Sequence, residues 1–179
     1  GAEDKKNSLE RVFQTKSDLV DGEINNHPKL TPIRINYSSG KVRKNKKPGA
    51  LDYKILEILT LETAFADIKP VPLFVGYNTI QPIRIGINKV HHFYTERVNL
   101  LIISYLKKVK DSISYSDAQF LLGSVLPKMS KMNRYMPQYA SKEKGFRALV
   151  GPMADALYFP PLSVENNFLS QILFQLNKI

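Results

Sequence analysis

The chain has no cysteine among its 179 residues, and this single absence removes disulfides, thiolate nucleophiles and Cys-ligated zinc or iron–sulfur centres. Tryptophan is missing as well, so nine Tyr and nine Phe must supply the aromatic bulk of any core. No apolar run approaches the roughly eighteen residues that would span a bilayer, the longest being Leu100 to Ile103, and no transmembrane segment is expected. Also absent are the phosphate-cradling GxxxxGK[ST] loop, GxGxxG, HExxH, GxSxG and an EF-hand loop. An enzyme built from this chain would have to assemble its site from scattered residues. The reading is therefore against an enzyme, and the sequence assigns no catalytic residue, metal ligand or cofactor.

What the chain does have is segregated positive charge. The formal net charge is +10, yet residues 1–40 are neutral, 41–47 carry +5, 48–96 carry −1, 97–147 carry +7 and 148–179 carry −1. Clustered charge creates a local potential that attracts polyanions, whereas a uniform excess would speak only to solubility. The 43% apolar and 23% charged composition is that of an ordinary globular protein, and the length suits one well-filled domain over 1–179, with residues 1–6 expected as a flexible end. An intracellular location is slightly favoured. Export stays open, because the sequence starts at Gly1 and an upstream signal could have been removed.

Periodicity sketches the elements. Asn7 and Glu10 frame a helix start, and Leu9, Val12, Phe13 and Leu19 continue one apolar stripe to Gly22. A strand is expected over Leu30 to Tyr37, a basic loop over 38–50, a helix within Leu51 to Ile68, and a hairpin of Val71 to Tyr77 with Gln81 to Asn88. The segments Thr31-Pro32-Ile33-Arg34-Ile35 and Gln81-Pro82-Ile83-Arg84-Ile85 echo one another; a duplicated unit placing Arg34 and Arg84 on one ligand competes with two half-buried strands that share alternation and an entry proline, and the latter is preferred because four identities over so short a window are weak evidence of a repeat. From Val90 onward the pattern is helical, with breaks at Pro127 and Gly151-Pro152 and a last helix capped by Ser163. The implied class is α+β, a small antiparallel or mixed sheet from the N-terminal half packed against a mainly helical C-terminal half.

Three groups of residues could carry chemistry. His91 and His92 are potential metal ligands or proton carriers, but neighbours on a helix point about 100° apart and seldom share an ion. A His-only site would need His27 as well, and a mixed one would recruit Glu96 or Asp67; surface histidines are the plainer reading. Asp18, Asp21 and Glu23 fit no cation-loop spacing and read as a solvated helix end. Asn36-Tyr37-Ser38 matches a glycosylation acceptor, a pattern common by chance.

The basic stretches are the third group. Lys41, Arg43, Lys44, Lys46 and Lys47 lie within seven residues, suited to phosphate contact or to a solvated loop. Lys128, Lys131, Arg134, Lys142, Lys144 and Arg147 interleave with Tyr135, Tyr139 and Phe146, the texture of grooves that track phosphates and stack bases. Met129, Met132 and Met136 at helical spacing point instead to inward packing or an adaptable protein-binding face. The leading expectation is a non-enzymatic binding module engaging a polyanion, nucleic acid first, through these residues. The alternative is a structural or adaptor subunit of a larger assembly docking through amphipathic helices, with a homo-oligomer also possible.

Overall fold

The computed structural model describes residues 11–59, 65–66, 68–112, 114–136 and 149–178, and its architecture is α+β. The strands do not merge into one sheet. Among the described residues they form three two-stranded antiparallel units: β1 (Phe13–Ser17) with β2 (Ile24–Pro28), β3 (Ile35–Ser39) with β4 (Val42–Lys46), and β5 (Arg134–Met136) with β6 (Leu149–Gly151). The helices are α1 (Ala50–Leu59), α2 (Ile80–Arg84), α3 (Glu96–Val109), α4 (Tyr115–Met129) and α5 (Phe168–Leu176), with short 3₁₀ turns at Tyr77–Thr79 and Val90–Phe93.

The helix expected through Val12, Phe13 and Leu19 is instead the first hairpin. A turn closes it: the Asp18 N–H donates to Glu23 O and the Gly22 N–H to Asp18 O, both at 2.9 Å, with Gly22 at φ +75° where a side chain would be strained. The basic stretch expected as a loop is mostly strand, because the two-residue turn Gly40-Lys41, with Gly40 at φ +60°, folds β4 back on β3. The predicted hairpin after Val71 is replaced by an extended segment bridged at Pro72 to Lys89, followed by α2. Pro82 is accommodated there because it lies in the first turn of α2, where its missing N–H has no intrahelical acceptor to lose. Gly86, at φ +81°, ends that turn.

The second half follows its pattern more closely. Thr95 caps α3 by accepting from the Val98 N–H, and Val98, Leu121, Leu122, Val125, Met129, Phe168 and Ile172 of α3, α4 and α5 form the larger core cluster. Pro127 falls in the last turn of α4, which runs on to Met129. Asn167, not Ser163, caps α5 through the Ser170 N–H at 2.9 Å. Part of the helix expected from Ser141 to Leu157 lies outside the described residues, and Leu149–Gly151 is strand β6. A second cluster joins Ile85, Ile87 and Phe159, with Leu73, Phe93 and Met132 against it. Met129 and Met136 are buried and Met132 packs on that cluster, so these three methionines face inward.

Candidate functional site: a carboxylate with two histidines, and a basic ribbon

The 3₁₀ turn Val90–Phe93 is the point on which distant parts of the chain meet. On one side Val71 O accepts from the Val90 N–H, and the Asn99 side chain donates to His91 O at 3.1 Å. On another, the Lys131 N–H donates to Phe93 O at 2.7 Å and the Lys131 ammonium to His92 O at 2.9 Å. The β1–β2 turn then closes over the face that remains. Gly86 makes the approach feasible: a Cβ there would lie 1.9 Å from Asn26 O, so β2 rests directly on the bare backbone.

This docking carries Asp18 onto the histidines. Asp18 Oδ2 lies 2.9 Å from His91 Nε2 and 2.7 Å from His92 Nε2, and all three residues are buried, the histidines with 8% and 5% of their surface exposed. A carboxylate can only accept, so both Nε2 atoms carry protons in this arrangement. The other ring nitrogens differ: His92 Nδ1 faces the Asn88 N–H at 3.4 Å, whereas His91 Nδ1 is buried without a partner. His27 completes the aromatic group, its ring 4.6 Å from that of His92 and edge-on to it.

Charge around the cluster is dense. Lys89, itself buried, is paired with Asp21 and with Glu23 at 2.6 Å, and lies 3.9 Å from Asp18 Oδ2. Although burial opposes it, hydrogen bonding from His92, the Val20 N–H and His91 holds the Asp18 carboxyl well below the usual carboxylate range. Burial pushes His92 down to about 4 and lowers His27 as well. Lys131 is pushed down to about 8, chiefly by desolvation of its ammonium. Lys16 pairs with Glu96 at the rim.

The three acidic residues expected as a solvated helix end are thus a hairpin turn with Asp18 buried. His91 and His92, expected at the surface, are core residues. A 3₁₀ turn spaces neighbours by about 120°, yet both rings reach one oxygen because they pack edge to face with centroids 4.4 Å apart. Glu96 belongs to the Lys16 pair rather than to the cluster, and Asp67 lies outside the described residues. Nothing in the sequence near His91 pointed to Asp18, which is 73 residues away.

The basic residues divide into two situations. Lys41, Arg43, Lys44, Lys46 and Lys47 are all exposed on the β3–β4 ribbon; Lys46 is paired with Asp52 of α1 at 2.8 Å. In the second group the cations are turned to internal use. Lys131 holds the His92 carbonyl, Arg134 donates to Gly151 O at 3.3 Å and Pro152 O at 3.4 Å, and Lys128 stands 5.7 Å from the centre of the Phe174 ring. Tyr135 is half-buried in β5, while Tyr139, Lys142, Lys144, Phe146 and Arg147 lie outside the described residues. The paired arginines of the echoed segments do not form a duplicated unit: Arg34 lies in irregular chain ahead of β3, and Arg84 closes α2 beside a cleft of about 460 Å³ that Arg34 does not line. No protein-family model, curated protein or solved structure matches this chain.

Proposed function

We propose that this chain is a non-enzymatic binding module whose β3–β4 ribbon engages a polyanion, nucleic acid first, mainly through phosphate contacts. The observation that carries the reading is the exposure of five cations on one short ribbon, of which Lys46 alone is held in an ion pair among the described residues. Cross-strand pairing sets Lys44 opposite Tyr37 and Arg43 opposite Ser38, so the two faces of the ribbon both carry positive charge. A charged two-stranded ribbon can follow a phosphate backbone without reading bases.

Titration against single-stranded and duplex oligonucleotides at several salt concentrations tests this. Replacing Lys41, Arg43, Lys44, Lys46 and Lys47 by Ala is expected to weaken binding and to flatten the salt dependence by roughly 0.7–0.9 for each phosphate no longer engaged. An unchanged slope would show that the ribbon does not touch phosphate.

One observation favours a second reading, an adaptor in a larger assembly. Helix α1 has no buried residue, and Leu51, Ile55 and Ile58, which share one face at helical spacing, are 70%, 48% and 52% exposed.

A further inference from the structure

We propose that Asp18, His91 and His92 form a binding site for a divalent transition metal of the zinc class, one that clamps the β1–β2 turn to the Val90–Phe93 turn. The site lies outside the basic ribbon and is independent of the polyanion reading. Its donor set is two imidazoles and one carboxylate, the mixture that suits zinc better than the oxygen-only sets preferred by magnesium or calcium. The three donor atoms lie within 4.8 Å of one another and are buried together. Zinc bonds of about 2.0–2.2 Å to nitrogen and oxygen separate neighbouring donors by about 3.0–3.5 Å, so the present spacings of 2.7 and 2.9 Å need widen by only about half an ångström.

The second ring nitrogens bear on the proposal as well. In the present arrangement His91 Nδ1 has no partner, and neither does the buried Oδ1 of Asn88, the residue whose N–H faces His92 Nδ1. A metal on Nε2 displaces the ring proton to Nδ1, turning each Nδ1 from an acceptor into a donor. At His92 that proton would meet the Asn88 N–H from which Nδ1 now accepts at 3.4 Å, so metal binding requires this contact to open, whereas His91 Nδ1 would take up its proton without giving up a bond.

The surrounding charge also accommodates a cation. Asp18, Asp21 and Glu23 surround the buried Lys89, three carboxylates to one ammonium, although that ammonium lies 3.9 Å from Asp18 Oδ2 and would have to withdraw toward Asp21 and Glu23 as the ion enters. Neither the cleft beside Arg84 nor the small cavity against Phe159 is lined by His91 or His92. The three donor residues are buried, and a tetrahedral ion held by them would take its fourth ligand from outside this set.

The test uses the whole chain, stripped with chelator and dialysed against metal-free buffer. Titration with Zn²⁺ is expected to give one tightly bound equivalent and a higher melting temperature. Co²⁺ should give the intense visible bands of a four- or five-coordinate site, and ¹⁵N spectra should show two imidazoles changing from the Nε2–H to the Nδ1–H form. Asp18→Asn and His92→Ala should each weaken Zn²⁺ at least about tenfold; if either variant fails to fold, the Co²⁺ and ¹⁵N signatures of the unaltered chain still decide. Failure of the unaltered chain to hold stoichiometric metal, unchanged imidazole tautomers on zinc addition, or undiminished affinity in both variants would overturn the proposal.

Discussion

At the scale of single residues, the Asp18 cluster sets how stability responds to acid. His92 titrates near 4 in the fold and near 6.5 when unfolded, so between those values the unfolded chain binds more protons. The contribution is fully present above about 6.5 and is lost as pH falls toward 4. His27, shifted in the same direction, adds to the loss, and Asp18, whose folded carboxyl is depressed, removes more stability below the ordinary carboxylate range. In chelator-containing buffer, urea unfolding at pH 7 and pH 4.5 should differ by about 2–3 kcal/mol from His92, and His92→Gln should shrink that difference. An identical midpoint shift in the variant would place the titrating group elsewhere. Gly86→Ala is expected to be more damaging than its size suggests, because it adds positive-φ strain of about 1–2 kcal/mol to a collision with the Asn26 carbonyl. Thermal unfolding checks this, and because the collision pushes β2 away from the histidines, loss of the acid-sensitive step should accompany the loss of stability. The sequence named His27, His91, His92 and Asp18 but could not join them, since the junction is made by a hairpin turn and a 3₁₀ turn that are remote in the chain.

At the scale of elements, helices with a long apolar period were legible and short elements were not. The α3 stripe through Val98, Ile102, Tyr105 and Val109 is regular over the whole helix, and such a pattern fits no strand. Over four residues the distinction fails: Pro32-Ile33-Arg34-Ile35 leads without regular structure into β3, while the identical Pro82-Ile83-Arg84-Ile85 is helical or adjacent to helix. What separates them is context, the turn at Tyr77–Thr79 and the positive φ of Gly86 against unsupported chain ahead of Ile35. Helix α5 shows how far a stripe can be trusted. Phe168 and Ile172 are buried against α3 and α4, Tyr105 meets the Phe168 ring edge-on, and Leu173 and Leu176 of the same helix remain half exposed. Phe168→Ala should cost about 3–5 kcal/mol in chemical denaturation, whereas Leu173→Ser should change stability by about 0.5 kcal/mol or less. A small effect at Phe168 would mean that α5 is docked weakly and its apolar face serves a partner.

At the scale of the molecule, charge and burial are distributed unevenly in a consistent way. The cations of 97–147 that the structure describes around Lys131 and Arg134 are bonded into the fold, while those of 41–47 project on a ribbon whose neighbour α1 contributes no buried residue. Lys46 and Asp52 tie that ribbon to α1, and Asp52 also accepts from the Gly49 N–H at the start of the helix. Ribbon and helix therefore present two different surfaces from adjoining elements, one cationic and one apolar, and each reading of function assigns the binding to a different one. Replacing Leu51, Ile55 and Ile58 by Gln removes apolar surface that is already exposed, so thermal stability should stay within about 0.5 kcal/mol per position. If the ribbon binds polyanion through phosphates, oligonucleotide affinity and its salt slope should be unaltered by those three changes and reduced by the five Ala substitutions in 41–47. Abolished oligonucleotide binding in the Gln variant would show that apolar surface on α1 carries the affinity. In that event the charge on β4 would steer the encounter and the binding would belong to the helix.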